Sequence, residues 1–441
     1  MKIMQKACFG VAMAMFGLQA QSSLAADTEV TYADHVATII TENCVVCHRE
    51  GGIGPMQLTS YDQVKVWAPL IKMRVENRQM PPYAYDHGIG IQELQGDWRL
   101  SQADIDLVVA WVDQGAALGE WGDREHPVAD LPEVDGWSFE QDLGAPSLIL
   151  SSIPIDIPAN GNDLWSKHYI PSGITSDRCI KAVQVKPRGD AKAVVHHANS
   201  FFEVPQEDGT MERFGPVTEY AMGKWGEIMP EGVCRTAPAN AQVFWDIHMF
   251  PGGVGSTAQG KAVKDNVVEL AIWFHDEDYA DTANLMKQEL GLYGLREGEL
   301  LIPPNGKTMT QGFHSFDHPV RIDSFQPHGH LRMYAASLEV FYPETGRTEA
   351  IGQISNWSAT WHHSHLFEPS AAPLIPAGAV LVMKQWYDNT AANPNNPDPD
   401  QWVVDGSRTG DEMSHFWLAV THLDDDTYDQ LVAERMVADS E

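Results

Sequence analysis

The apolar residues change their spacing once along this chain, near residue 145. Before that point the spacing is helical. Val36, Ile39 and Ile40 fall on one face of the segment 31–43, and Ile105, Val108, Val109 and Val112 make a second apolar stripe. Ser60 with Gln63 reads as a capping box opening a helix between these two, which Pro69 should break or restart, and Ser101 with Asp104 opens the later one. Residues 123–145 are rich in Pro, Gly and acids and lack any period, as a linker would be. Beyond them, short β-rich runs such as 267–274, 337–342, 379–387 and 415–420 alternate with Gly, Pro, Asn and Asp. So many short strands predict two consecutive β-sandwiches, with a seam near 297–307. The Asn-, Pro- and Asp-rich stretch 389–400 must be a loop.

Length and charge bound the partners. A chain of 441 residues exceeds what one core usually organises. A formal charge of -32 makes nucleic acid and anionic membrane surfaces poor partners. Residues 1–26 read as a secretory signal: Lys2 and Lys6, a short apolar run from Ala7 to Leu18, then small residues to Ala26. That run is too short to span a bilayer and no later stretch is long enough, so the expectation is an exported, periplasmic protein without stable membrane insertion. Four cysteines then remain. Cys179 and Cys234 are either a disulfide, as an oxidising compartment favours, or two buried thiols.

The other two cysteines belong to Cys44-Val45-Val46-Cys47-His48, a haem attachment motif: two thiols reach the vinyl groups and the next imidazole reaches the iron. A redox CxxC is the competing reading, and the helical surroundings and the following His favour haem. His48 is then the proximal ligand. Met80, in Arg78-Gln79-Met80-Pro81-Pro82, is the distal candidate, with Met56 and Met73 as rivals. This segment resembles the small cytochrome c domains in which CxxCH is followed by Met-Pro-Pro, and the resemblance implies an all-α cytochrome c domain over 27–122.

A second constellation carries copper-like chemistry. In an extended strand His328 and His330 of Gln326-Pro327-His328-Gly329-His330 project to the same side. With Met413 of Asp411-Glu412-Met413 they offer two imidazoles and a thioether, a set that favours copper, above all Cu(I). His196 and His197 are adjacent, so both bind one ion only where the strand bends; with His248 they can supply three imidazoles. Trp361-His362-His363-Ser364-His365 reads either as a polar hairpin end or as lining of a cleft. No Ser-His-Asp or Cys-His nucleophile signature is present.

In this order, the His-His pair, the His before Phe250-Pro251-Gly252, the His-x-His and the Asp-Glu-Met resemble the type II copper, ascorbate-dependent monooxygenases, the family of peptidylglycine alpha-hydroxylating and dopamine beta-monooxygenases. Asp388-Asn389 and Asn393-Pro394 to Pro397 fit its bacterial members, and the resemblance spans about 165–425. It implies two all-β jelly-roll sandwich subdomains, 146–300 and 301–425, followed by an acidic tail at 426–441. Each would carry one copper, the two facing across an open cleft. His196, His197 and His248 would hold an electron-storing copper; His328, His330 and Met413 would hold the one that meets O2 and a C–H bond. The expected cofactors are therefore two coppers and one covalent haem c, and the expected partners a small organic substrate, O2 and a periplasmic electron donor. A non-enzymatic electron carrier or copper sensor is the alternative. Gln326 stands where the peptide-processing enzyme has an Arg, Met249 where Tyr is usual, and Ser414, His415 and Trp417 where substrate contacts would lie. These departures speak against a peptidylglycine substrate.

Overall fold

The computed structural model describes residues 29–224, 226–251, 262–282, 284–296 and 298–438. The expected signal segment, 1–26, lies outside the described residues. Among those described, no helix is long and apolar enough to cross a membrane.

Most of the chain is β-sandwich. A single 11-stranded sheet runs through both halves, and each half adds a 4-stranded sheet of its own. In the first half the added sheet contains Leu164–Pro171, Gln242–Met249, Val195–Pro205 and Met211–Ala221. It packs on Arg178–Pro187 and Val268–Phe274 around Trp245, Ile247, Val183 and Ile272. In the second half Lys307–Ser315, Val380–Asp388, Met333–Tyr342 and Arg347–Ile354 form the added sheet. Its core gathers Phe325, Phe367, Phe416, Leu381 and Tyr387. Burial of such side chains contributes roughly 1.5–3 kcal/mol each, and they alternate with polar positions because strand side chains alternate faces.

The halves share strands. Met286–Gly294 precedes the expected seam, yet it pairs antiparallel with His415–His422 and parallel with Val233–Ala237. Cys179 and Cys234 lie on neighbouring strands of the long sheet and form a disulfide, with Cα atoms 5.0 Å apart.

The all-α cytochrome c domain expected over 27–122 is not what forms. The chain from Tyr32 to Asn43 is helical only briefly, as a π-helical turn and a seven-residue helix; Tyr61–Glu76 and Gln102–Asp113 are the other helices of the region. These pack around Tyr32, Ile40, Val64, Val108 and Trp111. Between them, from Asn77 to Ser101, the chain is non-helical, and Leu94–Gln95 pairs with His365–Phe367 as an edge of the long sheet. Tyr83, Tyr85 and Leu94 are buried in the core of the second sandwich. The physical reason is in the sequence: Pro81 and Pro82 stop a helix, Gly88, Gly90 and Gly96 hold positive φ, and the apolar residues between them find their burial against Phe325 and Phe367. The helical region is thus built into the β architecture.

Pro69, by contrast, does not break its helix, which runs through all 16 residues. Val64, Ala68, Ile71 and Val75 bury one face, and exposed Pro69 leaves its orphaned carbonyl to water. The capping box is replaced as well: Gln63 accepts from the Thr59 main chain and hydroxyl. Residues 123–145 are strapped down rather than free. Trp137 and Phe139 pack against Trp273, and Arg188 donates to the Asp135 carbonyl. The acidic tail forms the helix Asp425–Ala438.

Candidate metal centres

His248 pairs across the sheet with His197, but the next residue, Met249, pairs with Val195. One residue, His196, is therefore extra, and this bulge is the bend that lets adjacent histidines share a side. The ring centroids of His196, His197 and His248 lie 5.0–5.5 Å from one another. One ligand atom from each lies within 4.8 Å of the others. Trp165 stacks flat on His248 at 4.3 Å. Nε2 of His196 donates to the Ala359 carbonyl at 3.1 Å, which leaves its Nδ1 for a metal; Nδ1 of His196 and of His197 have no partner. Asp163 Oδ2 stands 3.2 Å from His248 Nε2, poorly aligned for a hydrogen bond. Burial, then neighbouring imidazoles, hold His197 well below its ordinary pKa and His248 at about 4. Both are neutral near pH 7, the form that ligates a metal.

The second expected site assembles differently. His328 is the last residue of Val320–His328, and its ring stacks at 4.8 Å on His415, its partner across the sheet. The strand stops there, so strand alternation does not govern His330; the two rings are nonetheless 5.5 Å apart. What places His330 is Glu412, whose carboxylate accepts the main-chain N–H of His330 at 2.7 Å and of Arg332 at 2.6 Å. Nδ1 of His330 donates to the Asp411 carbonyl, leaving Nε2 available. A Cβ at Gly329 would run into the Met333 thioether, which would have to shift to admit it. Met413 is half-buried, and its carbonyl accepts from Tyr387 Oη at 2.7 Å.

Around His328 the structure gathers two residues that the motifs did not supply. Glu219 and His362 each bring a ligand atom within 4.8 Å of His328 and of each other, and all three side chains are buried. The density of histidine in 361–365 was a signal for His362. Glu219 carried none. Its neighbours His363 and His365 are no exposed hairpin end either: they lie buried against Trp98, Tyr83 and Tyr85.

The two centres do not face across an open cleft. His197 lies 6.0 Å from His328, and His362 lies 5.5 Å from His196 and 5.0 Å from His328, centroid to centroid. Phe201 and Phe244 pack on Leu290, Trp417 and Ala419 to close the halves, and Gln326 Nε2 donates to Glu219 across the join. Gln326 Oε1 in turn accepts from Ser364 at 2.6 Å, so Gln326 is fixed at both ends.

Beside these centres lies a cavity of about 1240 Å³ lined by Cys44, Cys47, His48, Met56, Met80 and Trp357, among others. It is large enough for a cofactor. The two thiols are not bonded to each other, and burial pushes Cys44 to about 12 and Cys47 to about 11, the opposite of the lowered pKa that a redox CxxC needs. His48 Nδ1 donates to the Met56 carbonyl at 3.0 Å, which turns Nε2 outward as a ligand. A Cβ at Gly54 would collide with that imidazole. Arg74, Arg78 and Lys192 also line the cavity and offer cations for carboxylates. Met80 and Met56 both reach the cavity wall, whereas Met73 is exposed.

No protein-family model matches the chain, and no curated protein matches it. Among solved structures, PNGF-II is 9% identical, with a TM-score of 0.25 over 63% of this chain and 66% of that one. The major capsid protein P2 of bacteriophage PM2 is 9% identical, with a TM-score of 0.25 over 62% and 96%. A fucolectin from Morone saxatilis (striped bass) serum is 9% identical, with a TM-score of 0.17 over 63% and 86%. Likenesses this slight carry nothing about what the chain does.

Proposed function

We propose that this protein is an exported copper-dependent monooxygenase that hydroxylates a C–H bond of a small organic substrate with O2, drawing electrons through a covalently attached haem c. The observation that carries this reading is that the segment Trp357–His362 touches all three candidate sites. Trp357 lines the CxxCH cavity and stacks at 5.5 Å on His362. The Ala359 carbonyl holds His196, and His362 abuts His328. Bound copper supplies one-electron chemistry with O2 and insertion of one oxygen atom; bound haem supplies the reducing electrons.

The chain's own residues have definable tasks. Cys44 and Cys47 would anchor the haem, and His48 and Met80 would hold its iron. His196, His197 and His248 would hold one copper, kept neutral by burial and oriented by Ala359 and Trp165. His328, His330 and Met413 would hold the other, with Glu412 fixing the loop on which His330 rides. The Cys179–Cys234 disulfide supports an oxidising compartment, and with the signal-like start the periplasm is the reading. The test is turnover under labelled dioxygen with haem and copper loaded: one labelled atom should enter the product, and no incorporation with any reductant would refute the reading.

One observation favours a second reading. The His197 and His328 rings lie 6.0 Å apart, centroid to centroid, with the halves closed, an arrangement that also suits a non-enzymatic haem–copper electron carrier or copper sensor. That reading expects redox cycling to survive Met413→Ala; the oxygenase reading expects turnover to stop while haem reduction persists.

A further inference from the structure

We infer that Glu219, His328 and His362 form a metal site in their own right, a two-histidine, one-carboxylate centre for a divalent first-row ion that ties the two halves together. The inference does not need the oxygenase reading, because it stands on three buried residues that carry unpartnered polar atoms and meet at one point. Glu219 Oε1, His328 Nδ1 and both ring nitrogens of His362 lack a hydrogen-bond partner of good geometry. Their side chains are 2%, 5% and 2% exposed. Buried polar atoms are nearly always satisfied, and one ligand atom from each of these three residues lies within 4.8 Å of the others, so they call for a common partner. A metal cation can accept lone pairs from a carboxylate and two imidazoles at once.

The elements converge from both halves. Glu219 lies on Met211–Ala221 of the first 4-stranded sheet, His328 ends a strand of the long sheet, and His362 lies in the loop before His365–Phe367. Gln326 clamps the other carboxylate oxygen of Glu219 while Ser364 holds Gln326, an arrangement that aims Oε1 at the two rings. Replacing a thioether by a carboxylate makes the donor set harder. It suits Cu(II) or Zn(II), where His328, His330 and Met413 would suit Cu(I). His328 belongs to both sets, so only one can be filled at a time, and the carboxylate set exists only while the halves are closed.

Titration of the metal-free full-length chain with Zn(II) tests this, bound ions being counted by elemental analysis and stability followed by thermal melting. The expected result is one ion at His196, His197 and His248 and a second that raises the melting temperature and is bound at least tenfold more weakly by Glu219→Gln and by His362→Gln. Met413→Leu should leave that second ion unchanged. His197→Ala should remove the first ion only, which shows that the fold survives substitution in this region. The inference is overturned if Glu219→Gln and His362→Gln, both still binding the first ion, bind the second with wild-type affinity, or if Met413→Leu is the variant that loses it. Either outcome leaves the labelled-oxygen experiment untouched, so the failure of one reading is distinguishable from that of the other.

Discussion

The two histidine centres are built by opposite means. His196, His197 and His248 come from two neighbouring strands of one sheet, brought together by a single bulge. The centre at His328 draws on a strand end, a loop and the facing sandwich, and its geometry depends on how the halves meet. A site made within one sheet is set by local register, whereas a site made across a join is set by packing that no short motif records.

The largest expected effect separates them. His248→Ala should abolish the ion at the first centre, a loss of at least two orders of magnitude in affinity, while the second centre still titrates. Elemental analysis of each variant checks this. Next is the disulfide. It staples two strands of the long sheet in the first half across 55 residues, so Cys179→Ala with Cys234→Ala should cost about 4 kcal/mol of stability in a denaturant melt. Metal binding at the second centre should be the better preserved of the two.

Glu412→Ala sharpens the comparison from the other side. It removes the carboxylate that accepts hydrogen bonds from the His330 and Arg332 main-chain N–H groups and should cost about 2 kcal/mol, loosening His330 without moving His196. Comparing the copper spectra of the two centres would show which one responds. Gly329→Ala acts on the same loop through its clash with Met333, and about 1–3 kcal/mol is the scale for such overpacking.

Acid acts on the buried histidines together. Burial lowers His363 to about 4 and His365 further below its ordinary value. The folded state therefore binds fewer protons than the unfolded chain between about pH 6.5 and 4, so stability is highest above 6.5 and falls as pH drops through that window. Thermal melts of the metal-free chain from pH 7.5 to 4.5 should show the fall, and His363→Gln should make it shallower, the remainder coming from His197, His248 and His328.

These contrasts explain what the sequence could and could not disclose. Short β-rich runs such as 267–274, 337–342, 379–387 and 415–420 made a β-sandwich architecture legible, and His-His with a later His pointed to the first centre because its residues need only one bulge. The helical stripes at Val36 and Val108 were legible too. The error lay between them, where Tyr83, Tyr85 and Leu94 carry no period and follow a partner more than 200 residues away. Glu219 was invisible for the same reason: nothing in Thr218-Glu219-Tyr220 announces that Gln326 and His362 will face it. Pro69 shows the converse, a strong local signal overruled by burial of Val64, Ala68, Ile71 and Val75 on one face.

The central claim is that two histidine centres hold copper beside a haem. Elemental analysis with EPR, on full-length protein matured in a host that attaches haem, tests it most directly. The expected result is about two copper and one iron per chain, with one copper signal lost in His197→Ala and the other in His328→Ala. Protein that carries iron but takes up no copper, or that keeps both signals in these variants, would contradict it.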